Sequence, residues 1–298
     1  MKKIKQAFEH KYYWYKVENL LKKHFFTGSK TNSIVLASTA KSGNTFFRFV
    51  WLNIIFLNER AQDSVNFVKL DRYLPFEGFL DDIKKEWVFN TLPCLLKTHR
   101  ATPKFFNPLE SIHLFRNPLD TMISQYHYNS NRISGAKELS TSIEKKIFHE
   151  HAVRFKGTFS EYLRNNIELY CQHFSLWMNN GRSIPISYEM LMSDRGSRHY
   201  KRVLQELGFD INERIINEAM QRSLPKNLKN SPPSNKMSQL GNMKFIRNAS
   251  TEQFKENGYY SKSDIELVKS VLKKYDMHNF NIFPVEYRKI LEMHPWII

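Results

Sequence analysis

The stretch Ser33-Ile-Val-Leu-Ala-Ser-Thr-Ala-Lys41-Ser42-Gly43-Asn44-Thr45-Phe46 decides the fold of this chain. Its apolar run, Ile34–Ala37, predicts a short buried strand, and the residues from Thr45 onward predict a helix. A strand, a tight turn and a helix in this order direct free backbone N–H groups at an anion. Lys41 adds a mobile positive charge and Ser42 adds a hydroxyl donor. The stretch therefore predicts a site for a phosphate or sulfate group.

This turn differs from the G-x-x-x-x-G-K-[ST] loop of proteins that bind nucleoside triphosphates. Ala40 precedes the lysine, and the glycine of the turn, Gly43, follows it. A strand-to-helix turn that binds no ligand can also contain Lys, Ser and Gly. On this stretch alone, that alternative stays open.

The composition is that of a globular protein that stays in a reducing compartment. The 298 residues are 41% hydrophobic and 14% aromatic, which excludes a disordered chain. The two cysteines, Cys94 and Cys171, lie in apolar segments, so we expect buried free thiols and no disulfide. We find no apolar run of membrane-spanning length and no signal peptide after the basic start Met1-Lys-Lys-Ile-Lys-Gln, and we expect a cytoplasmic protein.

The net charge of +16 predicts acidic partners. A multiply charged nucleotide, an anionic membrane surface, nucleic acid and an acidic glycan all fit this charge. The excess is partly local: residues 1–30 contain eight Lys against two Glu, and residues 222–247 contain six basic residues and no acidic one. For the N-terminal segment 1–30, a solvated basic face is an equally good interpretation.

The order of apolar runs and helical patterns predicts one α/β domain over residues 1–298, with a central parallel sheet flanked by helices. The predicted strands are short and unalternating, as in sheets covered on both faces. A polar, Pro-rich segment at 226–250 interrupts the pattern and predicts a loop. The predicted strands are Ser33–Ser38, Cys94–Thr98, Ile112–Phe115 and Ile184–Ser187, and the clearest helices are Thr45–Asn58, Pro118–Asn131, Phe159–Asn180, Asp194–Leu207 and Ser261–Tyr275.

Polar side chains follow each predicted strand, where ligands of parallel sheets bind. His99 follows the second strand and has the near-neutral pKa of a general base. Arg116 follows the third strand, where phosphate-hydrolysing loop proteins place a metal-holding Asp, and with Ser124 it suits a further phosphate. Tyr188 follows the fourth strand and can contact a purine. The structural alternatives are a core histidine, an ion pair between Arg116 and Asp120, and a core tyrosine.

These residues together resemble the cytosolic sulfotransferases, which use 3′-phosphoadenosine 5′-phosphosulfate (PAPS) and release adenosine 3′,5′-bisphosphate (PAP). The order and spacing of the motifs agree from about residue 33 to 260. The matching motifs are the 5′-phosphosulfate loop Lys41-Ser42-Gly43-Asn44-Thr45-Phe46, the catalytic strand end Lys97-Thr98-His99, the 3′-phosphate motif Arg116-Asn117-Pro118-x-Asp120 with Ser124, the adenine-side Tyr188-Glu189 and a lid around Arg247.

The resemblance implies transfer of a sulfuryl group to a hydroxyl or amine of a small-molecule, lipid or saccharide acceptor. His99 would take the acceptor proton, and Lys41 and Lys97 would stabilise negative charge. Segment 226–250 would be a mobile lid, and no metal is expected. The implied nucleotide-binding residues are Lys41, Ser42, Gly43, Asn44, Thr45, Phe46, Arg116, Ser124, Tyr188, Arg247, Asn248 and Ala249.

Some positions depart from the family pattern, and two other functions remain open. Phe46 replaces a Trp, Asn44 replaces a Thr, and Asn248-Ala249 stand where Lys-Gly is usual. A P-loop kinase-like phosphotransferase or a non-catalytic polyanion-binding protein would also fit a basic chain with an anion loop. No nucleic-acid-binding motif is present, and the basic surface also allows peripheral contact with an anionic membrane. The sequence does not define the acceptor or the oligomeric state.

Overall fold

A parallel four-stranded sheet forms the centre of the protein. The computed structural model describes residues 12, 14–26, 32–59, 64–77, 86–130, 155–228, 254 and 258–277. The strands are β1 (Ile34–Ala37), β2 (Leu95–Thr98), β3 (Ser111–Phe115) and β4 (Ser183–Ser187), and they lie in the order β2-β1-β3-β4. All three pairings are parallel; Ile34 pairs with Leu95, Val35 with Ser111, and Ser111 with Ser183. The predicted α/β fold with one parallel sheet is confirmed.

Helices separate the strands and cover the sheet. The bounds of the five predicted helices, here α1, α3, α4, α6 and α9, lie within a few residues of those predicted, because apolar periodicity marks a helix better than its ends. The helices are α1 (Asn44–Asn58), α2 (Phe67–Tyr73), α3 (Pro118–Ser130), α4 (Phe159–Met178), α5 (Tyr188–Met192), α6 (Gly196–Glu206), α7 (Glu213–Ser223), α8 (Pro225–Leu228) and α9 (Lys262–Lys274).

Each face of the sheet packs against its own helices. Ile34 and Leu36 of β1 face a core that includes α1, α6 and α7. Val35 and Ala37 point to the opposite face, because successive strand side chains alternate, and pack near Trp177 of α4. Both faces are therefore covered, which explains why the strands are uniformly apolar rather than alternating.

The N-terminal segment is more than the basic face that its charge suggests. Residues 14–21 are helical and continue into a π-helical turn, Lys22–Phe26. Val17, Leu21 and Phe25 recur every four residues and are fully buried against the sheet. This i, i+4, i+8 spacing was present in the sequence, but the high lysine content obscured it.

Three further details differ from the sequence prediction or agree with it. Helix α7 was not predicted, although Asn212 caps its first turn by accepting a hydrogen bond from the Arg214 N–H at 2.8 Å. The predicted loop 226–250 begins later, because Pro225–Leu228 forms one helical turn; residues 229–250 lie outside the described part. Cys94 and Cys171 are buried and are not joined by a disulfide, as predicted.

Candidate active site

The candidate site lies at the carboxyl ends of the strands, at the point where the strand order changes direction on either side of β1. The chain moves from β1 outward to β2 and then returns to β3 on the other side of β1. Ligands of open parallel sheets bind in the crevice at such a switch point. The loop containing Lys41 follows β1 and Arg116 follows β3, so the two predicted anion-binding elements flank this crevice.

The turn between β1 and α1 has the backbone geometry of an anion site. Lys41 and Gly43 are in the left-handed region, with φ values of 67° and 91°. Left-handed residues that alternate with right-handed ones direct successive N–H groups to one side. The 15-residue helix α1 begins directly afterwards, and within the described residues no side chain caps its first N–H groups. Its amino end therefore adds a partial positive charge.

Hydrogen bonds hold this turn in place. The hydroxyl groups of Thr39 and Ser42 lie 2.6 Å apart. The Gln125 amide on α3 donates to the Ala40 carbonyl at 2.8 Å, a contact that the sequence analysis missed. The hydroxyl of Ser38 is buried and has no hydrogen-bond partner within the described residues. A buried hydroxyl without a partner is costly. The left-handed turn and the start of α1, which no described side chain caps, fit a bound sulfate or phosphate group.

Tyr188 closes the turn from the β4 side. A Cβ atom added to Gly43 would lie 2.3 Å from Cδ2 of Tyr188, so only glycine allows this approach. The guanidinium of Arg116 contacts the same ring, with its Cζ atom 5.0 Å from the Tyr188 ring centroid. Tyr188 is only 6% exposed, so its ring packs between these two elements as a buried aromatic.

A carboxylate and amide network fixes Arg116. Asp120 accepts from Arg116 Nη2 at 3.3 Å and from Asn117 Nδ2 at 3.0 Å. Glu189 on α5 accepts from the Asn117 backbone N–H at 2.9 Å. The Tyr170 hydroxyl donates to the Arg116 carbonyl. The ion pair that the sequence analysis named as the structural alternative for Arg116 is therefore present, and Ser124 lies half-buried two turns further along α3.

The tautomer of His99 follows from one contact. Its Nδ1 lies 2.6 Å from the Ser38 carbonyl oxygen. A carbonyl can only accept, so Nδ1 carries the proton and Nε2 of the neutral ring carries the lone pair. Burial and the nearby charge of Lys97 hold the pKa of His99 well below its usual 6.5. His99 is thus a neutral base at physiological pH, and the Phe76 ring packs edge-on against it at 5.5 Å.

Burial and neighbouring cations lower the pKa of Lys97. Burial is the largest cause and the positive charges of Arg48 and Lys41 add to it; together they bring this pKa from 10.5 to about 7. The Lys97 Nζ lies 4.6 Å above the Phe76 ring, and the Lys41 Nζ lies 5.1 Å from the Tyr128 ring. The crevice therefore holds an excess of positive charge that an anionic ligand would neutralise.

Sequence reasoning missed several residues that shape the crevice. Arg48 sits inside α1, only 5% exposed, and donates to the Leu74 carbonyl at 2.5 Å. A charge among the apolar residues of α1 was the signal that could have revealed it. Of the other predicted residues, Asn44 and Phe46 are buried at the start of α1 and Thr45 is half-buried beside them. Arg247, Asn248 and Ala249 lie outside the described residues.

One residue next to the predicted lid lies within the described part of the chain. Phe254, from the segment after the predicted lid, donates its N–H to Asp120 at 3.1 Å, so this part of the chain reaches the Arg116 network.

Among the residues that the structure describes, no group of three or more His, Cys, Asp or Glu side chains could hold a metal ion. Within the same ranges, no helix is long and apolar enough to span a bilayer.

Comparison with known proteins identifies the family. The model of the sulfotransferase domain matches residues 31–279, so the chain belongs to the sulfotransferase domain family. The match confirms the family predicted from the motifs, and with it sulfotransfer as the general reaction class. No curated protein matches the sequence significantly.

Solved structures show the same fold at low sequence identity. Mouse sulfotransferase SULT7A1 complexed with PAP superposes with a TM-score of 0.62 at 16% identity, over 92% of each chain. Retinol dehydratase in complex with androsterone and inactive cofactor PAP gives a TM-score of 0.55 at 15% identity, over 92% of this chain and 88% of that chain. A complex of retinol dehydratase with retinol and PAP gives 0.54 at 15% identity. At these identities the likeness supports the fold.

Proposed function

We propose that this protein transfers the sulfuryl group of PAPS to a hydroxyl or amine of a small-molecule, lipid or saccharide acceptor. The observation that carries the proposal is the pairing of two cationic elements across one switch point. The left-handed turn at Lys41 and Gly43 faces one side of the crevice, and Arg116 follows the adjacent strand β3. A nucleotide with phosphate groups on both its 5′ and 3′ sides needs two such elements.

The donor would be held by groups that the chain already positions. In our proposal Ser42, Gly43, Asn44 and Thr45 bind the 5′-phosphosulfate, with the amino end of α1 behind them. Arg116 and Ser124 bind the 3′-phosphate, with Phe46 and Tyr188 beside the nucleotide. We propose further that Arg247, Asn248 and Ala249 close over it as a lid. The neighbours crystallised with PAP are consistent with this use of the fold.

The chemistry would be performed by three side chains. The Nε2 lone pair of His99 takes the proton from the acceptor hydroxyl as the new S–O bond forms. Lys41 stabilises the negative charge that builds on the departing phosphate oxygen as the old S–O bond breaks. Lys97 stabilises the oxygens of the sulfuryl group in transit. Positioning and electrostatics supply most of the rate in such transfers.

The acceptor side is bounded by Phe76, whose ring contacts both His99 and Lys97. An aromatic wall beside the base fits a phenol or a lipid-like alcohol, and the net positive charge fits an acidic saccharide. Androsterone and retinol occur in the complexes of retinol dehydratase, which supports including apolar alcohols in a screen. We also propose a cytoplasmic location and peripheral contact with anionic membranes as properties to test.

The decisive experiment compares two nucleotides by calorimetry. A charged hydrogen bond contributes about 1.5–3 kcal/mol, so PAP should bind at least about tenfold more tightly than AMP. Arg116→Ala should remove most of this difference. Arg182→Ala is the matched control, because Arg182 is exposed and bonds to the Asn107 carbonyl, before β4 rather than after it. Equal affinity for both nucleotides in the unmutated protein would refute PAPS as donor.

A screen with labelled PAPS then addresses the acceptor. Phenols, lipid alcohols, saccharides and peptides should be tested in parallel with the donor held constant. Replacing PAPS by ATP with Mg²⁺ tests the kinase-like alternative in the same assay. Sulfuryl transfer to at least one acceptor class is the expected result, whereas phosphoryl transfer from ATP would move the protein to the alternative.

A further inference from the structure

Two charged residues beside the catalytic strand end have no part in the mechanism above. Arg100 directly follows His99, and Glu77 lies on a short segment that pairs with the outer edge of β2. In this pairing the Lys97 N–H donates to the Pro75 carbonyl at 2.9 Å, and the Glu77 N–H donates to the Lys97 carbonyl at 3.1 Å. The Glu77 carboxyl is thereby brought next to the backbone that presents Lys97 and His99.

Glu77 is a buried carboxyl that holds this backbone. Its side chain is 2% exposed. It accepts a hydrogen bond from the Thr98 hydroxyl, whose oxygen in turn accepts from the Arg100 backbone N–H at 3.0 Å. Burial outweighs these interactions and the charge of Arg100, and raises the pKa of Glu77 from 4.5 to about 7.

Arg100 joins Glu77 to the N-terminal helix. Its Nε lies 3.0 Å from Glu77 Oε2, and its Nη1 donates to Glu18 Oε1 at 3.0 Å. The guanidinium stacks 4.5 Å from the Trp14 ring centroid. The Trp177 indole of α4 donates to the Arg100 carbonyl at 2.8 Å. One side chain thus bridges the active-site strand end and helical residues 14–21.

We propose that Glu77 and Arg100 are positioning residues that hold the backbone of His99, and that Arg100 makes the N-terminal helix part of the active-site support. His99 is then fixed from two sides. Its ring is held by the Ser38 carbonyl, and the backbone on either side of it is held by the contacts of Thr98 and Arg100 with each other and with the Glu77 carboxyl. The consequence for rate rests on the proposed sulfotransfer, whereas the consequence for the His99 ring does not.

Loss of Arg100 should disturb His99 without removing any direct contact to its ring. A carboxylate left buried without its cation is unstable, so Glu77 would protonate or move, and the strand end would loosen. A displacement of about 1 Å at a reacting group costs about 10²-fold in rate. We expect Arg100→Met to lower kcat by about 10- to 100-fold and to leave the Kd for PAP within about twofold. Arg100→Lys should restore part of kcat, because it keeps a cation near Glu77.

An NMR measurement separates positioning from a merely structural role. The pKa of the His99 imidazole, assigned with His99→Gln, should stay well below 6.5 in the unmutated protein and rise in Arg100→Met. Removing the Arg100 charge alone would also raise this pKa, whereas removing the Glu77 charge alone would lower it. A rise in Glu77→Gln as well as in Arg100→Met would therefore report a repositioned, more solvated ring. The matched control is Arg222→Met, which removes an exposed arginine paired with Glu218 on α7 and should change neither quantity.

Milder variants keep the proposal testable if Arg100→Met does not fold. Glu77→Gln keeps the side-chain shape and should lower kcat about 3- to 10-fold. It should also remove the fall in kcat/KM that we expect as pH decreases through about 7, where the Glu77 carboxyl takes up a proton. The groups facing this carboxyl are Lys97, Thr98, His99 and Arg100, with Glu18 beyond Arg100. Glu18→Gln removes one of the two contacts of Arg100 with the helix, leaving the stacking on Trp14, and should have the smallest effect.

The outcomes test the positioning role of Glu77 and Arg100 separately from the proposed sulfotransfer. A folded Arg100→Met or Glu77→Gln protein with near-normal kcat and an unchanged His99 pKa would overturn it. If the unmutated protein transfers no sulfuryl group from PAPS, the proposed function fails. The NMR comparison, made without donor, then still decides whether Glu77 and Arg100 position His99.

Discussion

Replacing Lys97 by Arg should change the pH dependence of the reaction in a way that the structure specifies. Burial, with Arg48 and Lys41 nearby, lowers the pKa of Lys97 to about 7. A lysine with a lowered pKa is charged below that pH and loses its charge as the pH rises through it. Arginine stays charged at all these pH values.

The size of the effect follows from this pKa. In the free enzyme only about a tenth of Lys97 would be charged one pH unit above 7, and about a hundredth at pH 9. If the charge is required, kcat/KM for the donor should fall about tenfold per pH unit above 7. The kcat measured at saturating PAPS should be much flatter, because the bound anion stabilises the ammonium and raises its pKa.

The assay measures kcat/KM for PAPS from pH 6 to 9 at constant ionic strength with one saturating acceptor. The unmutated protein should show the alkaline decrease, Lys97→Arg should show no decrease above pH 7, and Lys97→Met should be low throughout. The reasoning is refuted if the unmutated protein shows no decrease between pH 7 and 9. It is also refuted if Lys97→Arg retains the decrease above pH 7, since another group would then be responsible.

The remaining predictions concern the base, the turn and the core. His99→Ala should lower kcat by about 10²–10⁴-fold and leave the affinity for PAP nearly unchanged in calorimetry; near-normal turnover would remove His99 from the mechanism. Gly43→Ala should weaken PAP binding more than tenfold because of the contact with Tyr188, whereas Gly181→Ala, with open space around it, should bind normally; equal binding would contradict the fit argued for the turn. Burial lowers the pKa of His173 from 6.5 to about 3. This residue should therefore lower the free energy of unfolding as pH falls below 6.5, by about 2 kcal/mol between pH 7 and 5. In urea unfolding, His173→Phe should lose less stability over this range, and an equal loss of stability would show that His173 is protonated in the native state.

The sequence predicted the strands and their polar ends because those features are local. All four residues of the strand Ile34–Ala37 are buried, so the strand is visible in the sequence as a continuous apolar run. The same local signal indicated that anion-binding residues follow β1 and β3. The sheet order β2-β1-β3-β4 was not predicted, because it depends on which edges meet after the helices pack.

Contacts between distant residues lay beyond sequence reasoning for a physical reason. Arg100 and Glu18 are 82 positions apart and Asn117 and Glu189 are 72 apart, and each pair forms only once the helices cover the sheet. Arg116 shows the same limit. The sequence offered an anion-binding arginine and a structural ion pair with Asp120 as alternatives; the structure shows the ion pair and a cation–π contact with Tyr188, and anion binding by Arg116 stays a proposal.

The cations of the crevice explain why the site needs the rest of the fold. Burial is the main reason why the Lys97 ammonium is so easily lost, and repulsion from Arg48 and Lys41 adds to it. Such an arrangement persists only where the surrounding structure is stable enough to offset the repulsion. Here β1 and β2 fix the backbones, and Asp71 and Glu77 supply opposing charge. An anionic donor would relieve the repulsion, so part of its binding energy would come from the repulsion among these cations. Removing one of these cations should therefore cost less in donor affinity than its charge alone suggests, and more in turnover, because charge builds further in the transition state.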